Sequence, residues 1–200
     1  MHQQKKRGWA MGITPQATNT KGNGRMSARE PLYASELTRS MTMLGEDPRT
    51  VFIGQGVRYD CHRMWPTLEG VPMEKRIEMP VAEDFQLGFC TGLALTGKIP
   101  ISIYPRWDFL LLAANQLVNH LDKVHLWGWK PRMVIRVAVG ATKPLNAGPQ
   151  HSQDHTEAFR KMLTYVHIMV LDKPEFIFSH YSLALSMERP VLVVERMECY

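Results

Sequence analysis

The sequence predicts a doubly wound α/β domain, with a mainly parallel sheet of about six strands and helices on both faces. Its strand segments are apolar throughout rather than alternating, which marks strands covered on both sides. They are separated by stretches with helical spacing, as parallel crossovers require. With 44% hydrophobic and 22% charged residues, a chain of 200 residues can bury one sizeable core.

The elements follow in order. Leu32, Leu37, Met41 and Leu44 form one helical stripe, stopped around Gly45 and Pro48. Val51-Phe52-Ile53-Gly54 is a short buried strand, and Lys75 to Met79 a weaker one. Glu83 to Thr96 reads as a helix ended by Gly97, a residue free to adopt the left-handed cap. Ile99 to Tyr104 is a strand, and the apolar run Phe109 to Leu126 a helix. Met133 to Val139 is a β-branched strand stopping at Gly140. Ala158 to Leu163 is helical, Val166 to Leu171 a strand, Glu175 to Met187 a helix, and Val191 to Glu195 the last strand. In such a sheet, ligands gather at the carboxyl ends of the strands.

The basicity of the chain is local. Residues 1–29 hold Lys5, Lys6, Arg7, Lys21, Arg25 and Arg29 and no acid, while the remaining 171 residues carry 18 basic and 19 acidic groups. Residues 1–29 read as a flexible basic arm, with a targeting segment and an anion-binding arm as alternatives, and residues 30–200 as the folded domain. A near-neutral body offers no basic stripe, so nucleic acid is not an expected partner. No apolar run approaches the roughly 18 residues of a membrane-spanning helix, and no membrane association is expected. Cys61, Cys90 and Cys199 are scattered and odd in number, which points to a reducing, cytoplasmic setting.

The chain lacks the phosphate-loop, dinucleotide and nucleophile-elbow motifs. His151 and His155 have helical spacing but no third ligand, so no metal site is expected in this chain. Three segments at element ends stand out. Met79-Pro80-Val81-Ala82-Glu83 puts a carboxylate where a strand passes into an apolar helix. Alone, it reads as a first-turn Glu favoured by the helix dipole. Tyr104-Pro105-Arg106-Trp107-Asp108-Phe109 packs three aromatics into a strand exit. Asn146 to Gln153 is a polar loop after the most buried strand, the place where binding groups collect.

Together these segments resemble the pyrimidine-binding domain of thiamine-diphosphate enzymes. The nearest likeness is to the beta subunit of the decarboxylating component of 2-oxo acid dehydrogenases, with transketolases more distant. The resemblance covers roughly residues 32–197. It rests on Glu83 followed by Gly88 and Gly92, on the aromatic-Asp-Phe run before Asn115-Gln116-Leu117-Val118-Asn119, and on Gly148-Pro149-Gln150-His151-Ser152-Gln153. The closing Pro190-Val191-Leu192-Val193-Val194-Glu195 also looks like the family's last strand in this domain. By that resemblance Glu83 hydrogen-bonds the aminopyrimidine ring nitrogen and activates the cofactor. Trp107, with Tyr104 as the other candidate, packs on the pyrimidine. Gln55 stands where the family has an acidic residue facing the cofactor. His151 and Gln150 lie on the substrate side, His151 as a donor to the carboxylate or developing oxyanion.

Two departures carry consequences. Phe85 replaces the family's usual Gly, so the pocket is expected to be partly filled there. The Gly-Asp-Gly…Asn pattern that holds magnesium and the diphosphate is not in this sequence. The resemblance therefore implies half of a shared site, completed by a separate diphosphate-binding subunit that holds Mg2+, in a heterotetramer acting on a 2-oxo acid. Transketolase-like ketol transfer and a non-catalytic scaffold of the same fold are the alternatives.

Overall fold

The computed structural model describes residues 32–143 and 146–200, and the arm read at residues 1–29 lies outside them. Helix α1 (Tyr33–Glu46) leads into β1 (Thr50–Gly54), then β2 (Arg76–Glu78), α2 (Glu83–Leu95) and β3 (Ile99–Tyr104). A short α3 (Trp107–Leu110) precedes β4 (Val134–Val139) and α4 (Thr156–Met162). Strand β5 (His167–Leu171), α5 (Pro174–Ser186) and β6 (Val191–Arg196) complete the domain. All five strand pairings are parallel, in the order β2-β1-β3-β4-β6-β5.

The continuous apolarity of the strands has its cause in two cores. On one face Phe52, Ile101, Val134 and Val193 meet Leu37 and Met41 of α1 and Ile177 and Tyr181 of α5. On the other, Ile53, Ile135, Val137 and Val194 meet Leu87 and Cys90 of α2, Trp107 of α3 and Phe159 of α4. Alternate residues of the central strands feed opposite cores, so these strands are almost continuously apolar, whereas the edge strand β2, Arg76-Ile77-Glu78, is not.

Two expectations are corrected. Leu32 is exposed and is not part of the first stripe; Tyr33 takes its place, its hydroxyl donating to Leu171 O at 2.8 Å. The expected helix over 109–126 is broken into α3, a 3-10 turn (Leu111–Ala113), a π-helix (Gln116–Leu121) and another 3-10 turn (Val124–Trp127). The π-helix ends at Asp122, whose buried carboxylate accepts the backbone N–H groups of Thr164, Tyr165 and Val166 at 2.8–3.1 Å. Burial would raise the Asp122 pKa, but the Lys123 ammonium and these donors outweigh it, and the net shift is downward.

One polar cluster lies inside the sheet. Arg136 of β4 and Glu195 of β6 are fully buried on the α1/α5 face, with Nε to Oε1 at 2.5 Å and Nη2 to Oε2 at 3.0 Å. The hydroxyls of Tyr181 and Tyr200 also donate to Glu195, and Arg136 Nη2 donates to Thr67 Oγ1 at 2.8 Å.

Candidate active site at the carboxyl ends of the strands

Glu83 opens α2 and is buried, with 6% of its surface exposed. A dipole-facing surface Glu would stand in solvent; this one is held inward. Gln86, one turn on and fully buried, donates to Ile103 O and Ser102 Oγ, each at 3.1 Å, pinning the start of α2 to β3. The Tyr104 hydroxyl makes a long 3.4 Å bond to Glu83 O.

The turn after β1 supplies the carboxylate's partner. Gly54 ends β1 so close to β3 that a Cβ would lie 2.8 Å from Ile103 O. Gly56 takes φ +66°, and the N–H groups of Gly56, Val57 and Arg58 all donate to the Glu78 carboxylate at 2.5–3.0 Å. Gln55, held between them, donates its Nε2 to Glu83 Oε1 at 3.1 Å. His62 Nε2 donates to Gln55 O at 2.9 Å, and burial lowers the His62 pKa, which favours the neutral ring.

A cavity of about 480 Å³ opens at this end of the sheet. Gln55, His62 and Arg63 line it from the segment after β1, and Pro105, Arg106 and Phe109 from the segment after β3. Ala141, Lys143 and His151 follow β4, and Met197 follows β6. His151 meets the Phe109 ring edge-on at 5.5 Å between centroids. A broader groove of about 700 Å³ shares Cys61, His62 and Arg63 but includes neither Gln55 nor His151.

The structure thus brings Glu83, Gln55 and His151 to one end of the sheet, with Gln55 and His151 in the cavity wall and Glu83 behind Gln55, outside the lining. It does not bring Trp107 and Tyr104 to the cavity wall. Trp107 is fully buried against Phe159, with ring centroids 4.9 Å apart, and Tyr104 is buried at the end of β3. The aromatic in the wall is Phe109, which sequence reasoning passed over. Gln150 is exposed beside the cavity and does not line it. Phe85 does not fill the pocket; it is 60% exposed and stacks on Phe89 along the outer side of α2. Among the described residues no group of three or more His, Cys, Asp or Glu is placed to hold a metal ion.

The loop bearing His151 is fixed by a close approach. A Cβ on Gly140 would lie 1.9 Å from His151 O and 2.9 Å from Ser152 Cα, both backbone atoms. Gly140→Ala should therefore displace the loop, at about 1–3 kcal/mol by analogy with overpacked cores. Urea denaturation reads that loss, and amide exchange over residues 146–153 should accelerate. An unchanged midpoint and exchange pattern would show that the loop is loosely seated.

The sheet order, and a buried helix-opening carboxylate beside a cavity at the strand ends, define a domain like the pyrimidine module of transketolase-like enzymes. In fold, the chain is similar to a split-gene transketolase solved as an inactive beta4 tetramer (TM-score 0.64, 18% identity), with 82% of this chain and 51% of that one covered. In sequence, it is similar to pyruvate dehydrogenase E1 component subunit beta of Gracilaria tenuistipitata var. liui, at 27% identity over 164 residues. That match covers 80% of this chain and 48% of the relative. Subunit beta-3, chloroplastic, of Oryza sativa subsp. japonica is 27% identical over 161 residues, covering 78% and 40%. The chain spans about half the length of the curated relatives it matches, or less. No protein-family model matches it.

Proposed function

We propose that the chain is the pyrimidine-binding subunit of a thiamine-diphosphate enzyme acting on a 2-oxo acid. Residues 30–200 form the pyrimidine-binding domain and residues 1–29 an appended basic arm. A separate subunit supplies the diphosphate and Mg2+ site, in a heterotetramer. The observation that carries this reading is Glu83, buried at the start of α2 and held through one oxygen by Gln55. Its other oxygen has no hydrogen-bond partner among the described residues, so it suits a pyrimidine ring nitrogen.

When bound, thiamine diphosphate supplies the nucleophilic carbon and the electron sink for decarboxylation. Glu83 would hold the proton shared with the ring nitrogen, and Gln55 would orient it. Phe109 would give the cavity its apolar wall, and His151 would donate to the substrate carboxylate or a developing oxyanion. The similarity to E1 beta subunits supports 2-oxo acid chemistry. The fold likeness to a split-gene transketolase supports ketol transfer as the second reading. The three free cysteines support a cytoplasmic setting.

A half-site should bind the whole cofactor poorly, because the diphosphate and its magnesium carry much of the affinity. Calorimetry on the chain alone should show no tight binding. A chain bearing the Gly-Asp-Gly…Asn half-site should restore it. A magnesium-dependent dissociation constant below about 1 μM, roughly −8 kcal/mol, for the chain alone would overturn the split-site reading.

A further inference from the structure

Gln55 can orient Glu83 only if its own backbone is fixed, and two side chains grip one peptide there. The Gly56 N–H donates to Glu78 Oε1 at 2.5 Å, and the Gln55 carbonyl of the same peptide accepts from His62 Nε2 at 2.9 Å. Upstream, Gly54 O at the end of β1 accepts from Met79 N at 2.9 Å, so the chain enters the turn already tied. Among the described residues His62 is the one donor to the Gln55 carbonyl. Without it the peptide would pivot about its N–H bond to Glu78. Gly56, at φ +66°, adds no stiffness, because glycine tolerates a wide range of φ. The pivot would displace the Gln55 Cα, and with it the amide that reaches Glu83 Oε1 at 3.1 Å.

The ring is placed for this contact. His62 is half-buried and lines both the cavity and the broader groove. Its segment lies directly on the turn: a Cβ on Gly56 would overlap Cys61 Sγ and lie 3.0 Å from His62 Cδ2. Only glycine at position 56 lets the ring come this close. Bonding to a carbonyl puts the proton of the neutral ring on Nε2. Nδ1 is buried and has no partner among the described residues, so the Gln55 carbonyl is the ring's single polar tie.

We infer that His62 is a positioning residue for Glu83, pinning the Gln55–Gly56 peptide and thereby aiming the Gln55 amide at the carboxylate. The inference rests on the reading of Glu83 as the activating carboxylate, and it names what holds that carboxylate in place.

The test compares His62→Leu, which fills the site but cannot donate, with His62→Gln, whose Nε2–H can take over the bond. In the full chain without cofactor, amide exchange of Gly56 and Val57 should quicken about tenfold in His62→Leu and return to near the wild-type rate in His62→Gln. The second readout uses the complex reconstituted with the diphosphate-binding partner at saturating thiamine diphosphate. There, hydrogen–deuterium exchange at the thiazolium carbon should slow about tenfold in His62→Leu and recover in His62→Gln. Wild-type amide exchange in His62→Leu would overturn the inference. So would a change that His62→Gln fails to reverse, which would mark the ring as filling space only. Thiazolium exchange suppressed in Glu83→Gln but unchanged in His62→Leu would overturn the inference and leave the Glu83 reading standing. Wild-type thiazolium exchange in Glu83→Gln would overturn both.

Discussion

Glu195→Ala is expected to cost the fold about 3–5 kcal/mol, because it strands the Arg136 guanidinium as an unpaired charge inside the sheet. Both side chains are fully buried. Burial alone would lower the Arg136 pKa, and Glu195 instead holds it above the ordinary guanidinium range. Burial and the Glu195 charge together push the Tyr181 and Tyr200 hydroxyls upward. In a domain of this size the loss corresponds to roughly 6–20 °C in Tm, read together with the urea midpoint. The pair need not be worth that much itself. A buried ion pair replaced by apolar groups is often neutral, whereas one broken by removing a single partner is not. Glu195→Ala with Arg136→Met should therefore be more stable than Glu195→Ala alone. It would still lack the acceptor for two tyrosine hydroxyls, at about 1 kcal/mol each. A single variant melting within about 2 °C of wild type would show that the charge is not sealed in.

The sequence could not announce that pair. Arg136 is one polar residue in the apolar run Val134–Val139, and its partner lies 59 positions away. They meet because β4 and β6 are neighbours, with Arg136 opposite Val193 and Ala138 opposite Glu195. Strand order is set by tertiary packing, and no local pattern encodes it. The strands themselves were legible because burial on both faces forces continuous apolarity, and Ile99–Tyr104 matches the expected limits. The 109–126 stretch misled for the same reason: apolarity reports burial and does not separate α, 3-10 and π turns. The aromatic cluster was misread over a rotation. Helix α3 begins at Trp107, so residues two apart point to nearly opposite sides. Trp107 turns into the core and Phe109 to the cavity. Glu83 was legible as a position through its motif, but its Gln55 partner was not. Gln55, expected to face the cofactor, lines the cavity and also gives its amide N–H to that carboxylate.

Glu83→Gln should leave the fold intact and remove the chemistry. The amide keeps the length of the side chain and one oxygen able to accept from Gln55 Nε2, so the turn after β1 and the start of α2 stay joined. It cannot hold a transferable proton for a ring nitrogen. In the complex reconstituted with its diphosphate-binding partner, turnover should fall by at least about 10²–10⁴-fold, as for a lost acid–base group. Hydrogen–deuterium exchange at the thiazolium carbon should be suppressed with it. His151→Ala is the informative contrast. His151 lies across the cavity after β4, where it would act on the substrate, so its loss should slow turnover while exchange survives. If Glu83 served only the helix dipole, replacing it would cost roughly 0.3–1 kcal/mol of stability and leave exchange unchanged. Wild-type exchange in Glu83→Gln would therefore remove Glu83 from the catalytic role and leave the buried carboxylate as a brace between β1 and α2.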